Sequence, residues 1–167
     1  MDQLSLMCRD TDFPPMSLDI YATPGVKIKV TGTNPLIYTW RVDSPVKEQQ
    51  EHNRFIEDSR DLWDEFQRLA IKERSMRSAS EAERKALRTK SDSISSIINQ
   101  RELKLMKELP ISNVWMEKLL RLSMSLKYNS RFTNKEEILA LYDRLNEEQK
   151  ASIEGQEIRV NLFPPKT

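Results

Sequence analysis

One histidine and one cysteine are the side chains of this chain best suited to chemistry, and they lie far apart in sequence. His52 has the group whose charge changes near neutral pH; Glu48 sits one helical turn before it and Glu51 next to it. A general acid or base also needs a reacting group to serve and a partner that orients the ring. No such group clusters around His52, so the expectation is a solvated imidazole on a charged helix. Cys8 closes a stretch that alternates like a strand, which favours a small buried hydrophobe over a reactive thiolate. Arg9 beside it is thin support for reactivity. A single cysteine excludes an intramolecular disulfide, a CxxC pair and a multi-cysteine zinc site. With only 3 glycines, no phosphate-cradling glycine loop exists either. The residues therefore predict no catalytic, cofactor-binding or metal-binding site: a chain that is not an enzyme and needs no cofactor.

The remaining candidates concern contact, not chemistry. The 27 Lys and Arg nearly cancel the 26 Asp and Glu, leaving a net charge of +1. A dedicated nucleic-acid binder has a strongly basic footprint, so nucleic acid is not an expected partner. The stretch 72–90 is nevertheless basic, with Lys72, Arg74, Arg77, Arg84, Lys85, Arg88 and Lys90 against Glu73, Glu81 and Glu83. No aromatic residues interleave with these charges, and residues 48–65 are correspondingly acidic, so a solvated, partly compensated face is expected. Of the three tryptophans, Trp63 and Trp115 belong to apolar stripes. Trp40 fits the local alternation poorly and is the candidate interface residue.

The elements that would position these residues read as α+β: a small antiparallel β-meander, a long antiparallel helical hairpin, two shorter helices and a C-terminal strand. Residues 1–43 form the β-region, with strands near 2–8, 17–22, 26–31 and 36–42. Val26, Ile28 and Val30 alternate with Lys27, Lys29 and Thr31, and Thr23-Pro24-Gly25 makes the turn before them. Residues 44–154 are helical. The hairpin spans 45–109, with Asp43 or Ser44 as cap and Pro45 in the first turn. Phe55, Leu62, Leu69 and Met76 recur at seven-residue spacing on its first arm. Ser80-Glu81-Ala82-Glu83 reads as a capping box opening its second arm. Leu87, Ser91, Ile94, Ile98, Arg101 and Leu105 mark that arm's a/d seam. Helices follow near 112–128 and 133–149, the latter opened by Thr133-Asn134-Lys135-Glu136. In the last segment, 155–167, Gly155 interrupts and Ile158, Val160 and Leu162 alternate as a closing strand. The prolines at 164 and 165 then give it the look of a linker's beginning. A four- or five-strand sheet leaves open edges, so a dimer across one of them is expected.

The run from Leu18 to Gly32, LDIYATPGVKIKVTG, resembles the end of a small β-domain of unknown function. That domain precedes the thioredoxin-like module in bacterial cell-envelope proteins of the peroxiredoxin and thiol–disulfide oxidoreductase type. The likeness extends through the charged helical insert to Gly155-Gln156-Glu157-Ile158-Arg159-Val160. It implies a non-catalytic N-terminal accessory region that positions or dimerises a redox domain absent from this chain, or presents substrate to it. No catalytic residue transfers, because the family's cysteine pair lies downstream; Cys8 does not match it. The implied partners are a thioredoxin-like domain of the same parent protein or a second copy. The implied place is the periplasm or cell envelope, with the signal segment absent here. Without the resemblance, the lack of a signal-peptide pattern and of a membrane-length apolar run predicts a cytoplasmic protein with no membrane insertion. The alternative function is a stand-alone interaction or oligomerisation module that uses the helical hairpin as its arm.

Overall fold

The computed structural model describes residues 2–76, 78–129 and 132–164. Its fold is α+β, but among the described residues the expected single meander and C-terminal strand are absent. Among the described residues there are two separate antiparallel pairs, β1 (Asp2–Leu6) with β2 (Leu18–Ala22) and β3 (Lys29–Thr31) with β4 (Arg41–Asp43). Seven helices follow: α1 (Lys47–Asp58), α2 (Arg60–Ser75), α3 (Glu81–Glu108), α4 (Asn113–Tyr128), α5 (Lys135–Asp143), α6 (Glu147–Ala151) and α7 (Ile153–Leu162). The chain divides into two compact units within α3, Met1–Ile98 and Asn99–Thr167.

The meander fails for a specific reason. A continuous sheet needs each strand's outer backbone groups for the next strand, and here helical amide side chains have taken them. The Tyr21 N–H of β2 donates to Gln49 Oε1 at 2.8 Å, and Asn53 Nδ2 donates to the Val42 carbonyl of β4 at 2.7 Å. Between the sheets, the expected strand 36–42 is instead a 3-10 turn at Ile37–Thr39 followed by short β4. Leu36 and Ile37 are both buried, which strict alternation forbids. The Tyr38 N–H goes to Gln67 Oε1 at 2.9 Å, and Thr39 Oγ1 donates to the Leu36 carbonyl at 3.0 Å. The Tyr21 and Tyr38 N–H groups and the Val42 carbonyl, displaced from a ladder, have thus found side-chain partners, as burial demands.

Within the first unit, Leu18, Ile37 and Val42 form one buried cluster, with Phe13, Ile20, Ile28, Val30 and Trp40 packed against it. A second joins Trp63 and Leu69 of α2 to Leu87, Ile94 and Ile98 of α3. Lys90 meets Glu65 at 2.6 Å and Arg88 meets Glu73 at 3.4 Å, so α2 and α3 run antiparallel. The first arm is not one helix. Ser59, fully buried at φ −129°, breaks it into α1 and α2. Pro45 stands two residues ahead of α1, whose approach is fixed by the Val46 N–H donating to Ser44 Oγ at 3.2 Å. At the start of α3 the capping box forms: Glu83 N–H donates to Ser80 Oγ, and Ser80 N–H donates back to Glu83 Oε2.

In the second unit α4 packs on α5 and α7 around buried Trp115, Leu119, Leu122, Ile138, Leu141 and Ile158. Ser112 caps α4 by accepting the Trp115 N–H at 3.0 Å. The expected helix 133–149 is two helices, because Asn146 forms its own capping box with Gln149 and opens α6. The closing strand is α7. Gly155, Ile158 and Leu162 are buried while Val160 is 60 % exposed, a helical period that mimics alternation over a short window. Gly155 does not interrupt the chain; a Cβ there would strike the carbonyl oxygens of Gln149 and, at 2.8 Å, Lys150, so glycine permits α7 to turn tightly off α6.

Candidate interaction surfaces

His52 is not solvated. It is 5 % exposed on α1, with the Tyr21 ring 5.6 Å away by centroids at a tilt of 54°. β2 covers it, which makes the imidazole part of the packing between strand and helix. Cys8 lies beyond the end of β1 as a half-buried free thiol. Two cations of the basic stretch are compensated, Lys90 by Glu65 and Arg88 by Glu73. Arg74 also donates to the Phe13 carbonyl at 2.9 Å and ties the end of α2 to the β1–β2 connection. Arg77 lies outside the described residues.

Trp40 is held by its own chain. Its Nε1 donates to the Asn34 carbonyl at 2.8 Å, and its ring lies against Gly32, where a Cβ would collide with the indole. Gly32 is therefore a close-approach glycine. Gly32→Ala is expected to push the ring aside, destabilise the first unit by about 1–3 kcal/mol and shift tryptophan fluorescence towards the red; urea titration with fluorescence detection measures both.

Beside Trp40 a small cleft of about 220 Å³ opens between β4 and α1, bordered by Arg41, Asn53, Glu57 and Arg60. Arg60 forks onto Glu57, Nη2 to Oε1 at 2.6 Å and Nε to Oε2 at 2.9 Å, and also donates to the Thr39 carbonyl. The hydrogen bond from Arg60 holds the Glu57 carboxyl below the usual carboxylate range; partial burial opposes this, while the charges of Arg60 and Arg41 add to it. A carboxylate depressed in this way stabilises the fold above its unfolded pKa, and the contribution is lost as pH falls through the folded value. Arg60→Met should move the Glu57 midpoint up towards the ordinary range in a carboxyl NMR titration. The same variant should remove at most about 1 kcal/mol of stability near neutral pH, the scale of an open ion pair.

Sequence reasoning misses a buried charged cluster in the second unit. Glu102 of α3 is 1 % exposed, with Lys118 Nζ 3.7 Å from Oε1 and Arg121 Nη2 on Oε2; Arg121 Nη1 donates to Asn99 Oδ1 at 3.1 Å. The available signal was a Lys–Arg pair three residues apart inside the otherwise apolar α4. The a/d seam obscured it, because a 3.5-residue repeat drifts against a straight helix. The buried positions run through Leu87, Ile94, Ile98, Glu102 and Met106, leaving Arg101 and Leu105 half-buried. A broader opening of about 830 Å³ lies along α6 and α7, bordered by Tyr142, Lys150, Arg159, Val160 and Phe163.

Among the described residues no group of three or more His, Cys, Asp or Glu is placed to hold a metal, and no helix is long and apolar enough to cross a membrane. The most exposed apolar structure in the first unit is β1: all of its residues are exposed, and Leu4 and Leu6 share a face with Ile20 and Leu18 of β2. Comparison with family models, curated proteins and solved structures yields no match to this chain.

Proposed function

We propose that the chain is a non-catalytic accessory region of a cell-envelope thiol–disulfide oxidoreductase, holding a thioredoxin-like domain of the same parent protein or presenting substrate to it. The observation that carries this reading is the run Leu18–Gly32. Its residues are set out as strand, tight turn and strand: β2, then Gly25 at φ 81°, then Val30 and Thr31 in β3. The Gly155–Val160 stretch adds similarity of residues alone, because it is helical. The hairpin of α2 and α3 spends its apolar stripe and several of its charges on its own packing, and we propose no docking role for it.

The in-frame coding sequence beyond Thr167 tests the reading directly. A thioredoxin-like domain with a CxxC pair supports it, and a stop codon overturns it. In a parent protein carrying that domain, removal of residues 1–163 is expected to leave reduction of a small disulfide unchanged and to raise KM for protein substrates. An equal loss on both substrates would assign the region to the chemistry instead.

A further inference from the structure

The strand edges of the first unit are treated unequally. The outer edge of β2 is met by Gln49 and that of β4 by Asn53. β3 carries exposed Lys29, with exposed Lys27 just before it, the charge that natural edges use against unwanted pairing. β1 has none of these devices. Among the described residues it pairs only with β2; it holds no lysine or proline, and shows Leu4 at 55 % and Leu6 at 43 % exposure, with Met7 at 59 % just beyond. An isolated two-stranded ribbon is marginal in water, and a third and fourth strand would complete it.

We propose that the β1 edge is a self-association surface that receives β1 of a second copy, antiparallel, to give the sheet order β2–β1–β1–β2. Charge selects the second copy and its register. A two-fold axis through such a sheet lets only residues on the same face stand opposite, so the pairing centres on one residue. Centred on Leu6, Asp2 would stand opposite Asp10 of the other copy, which lies in the turn after β1 with its carbonyl already bonded by the Phe13 N–H, so that strand end would go unpaired; centred on Leu4, Asp2 would face Leu6. Centred on Ser5, Leu4 faces Leu6 in both directions and Gln3 faces Met7. Arg9 of the second copy then follows the residue opposite Asp2, bringing opposite charges to each strand end. The row Leu4, Leu6, Ile20 continues from one copy into the other on a single face. So short an edge buries less than the roughly 1,200 Å² of a standard interface, which makes the dimer weak and concentration-dependent. This inference holds whether or not a redox domain follows.

Sedimentation of the full 167-residue chain from about 10 μM to about 1 mM samples the range expected of a sub-standard interface. The average mass should climb towards the dimer, and the Leu4→Lys/Leu6→Lys variant should remain monomeric with an unchanged circular dichroism spectrum, since both side chains are exposed. In a Cys8→Ser background, Ser5→Cys should form an intermolecular disulfide on mild oxidation, because directly opposed Cα atoms stand within bridging distance. Gln3→Cys should not. A wild-type monomer throughout would overturn the proposal and leave the edge to an extended segment of another polypeptide. Equal dimerisation of the double-lysine variant, or equal cross-linking at both cysteine positions, would overturn it as well.

Discussion

Glu102→Gln is expected to lower the unfolding free energy by about 3 kcal/mol, the scale of breaking a buried ion pair from one side. The carboxylate is 1 % exposed and is shared by Lys118 and Arg121, so its charge is what makes two cations tolerable in that space. Glutamine preserves the volume and some hydrogen bonding but removes the charge. Lys118→Met is the informative contrast. Glu102 keeps its contact with Arg121, and the methionine replaces the apolar stem, so the cost should be less than half as large, about 1 kcal/mol. Urea unfolding with unchanged slopes measures both. Equal costs would show that the carboxylate is not the centre of the cluster.

Trp115→Ala should be costlier still, about 4 kcal/mol, the range for emptying a fully buried tryptophan site. More than volume is lost. A helix ends with orphan carbonyls, and at the end of α3 two side chains collect them. Trp115 Nε1 donates to the Met106 carbonyl at 3.0 Å; Arg144 donates to the same carbonyl at 2.8 Å and to that of Leu109 at 2.9 Å, its guanidinium 5.3 Å from the indole centroid. Trp115→Phe separates the terms. It keeps much of the apolar area and drops the bond, for about 1–1.5 kcal/mol. Hydrogen exchange should then show early opening at the end of α3 in the alanine variant and little change in the phenylalanine one.

The readable parts of this chain were those decided by neighbours in sequence. Ser80 with Glu83 is a local hydrogen-bonding choice, and that capping box forms as its residues indicate; the cap of Ser112 on the Trp115 N–H is equally local. The capping box expected at 133–136 does not form: α5 starts at Lys135, and the side chain of Asn134 before it caps no backbone N–H but donates to the Glu137 carboxylate. Asn146 with Gln149 and Ser152 with Gly155 are equally local, but they lie inside a stretch whose apolar spacing mimics one continuous helix followed by a strand. What sequence could not display was competition at a distance. Gln49, Asn53 and Gln67 look like ordinary polar residues on a charged helix, yet their amides decide where the sheets stop. His52 looked solvated for the same reason, since only the arrival of Tyr21 buries it. The candidate surface at β1 was legible as an alternating strand; that its outer edge would be the undefended one was not.

Those amides also impose an order in time. Synthesis runs from the N-terminus, so β2 and β4 emerge before the side chains that seal them, and Gln49 and Gln67 bond backbone groups 28 and 29 residues earlier. At about 5–20 residues per second, the delay between completing β2 and releasing Gln67 is several seconds. During that interval the nascent strands have open ladders on more than one side, and any sticky extended segment nearby can occupy them. The first unit thus cannot mature strand by strand. It must wait for α1 and α2, and the outer edges of β2 and β4 become safe only when the ribosome has delivered a helix.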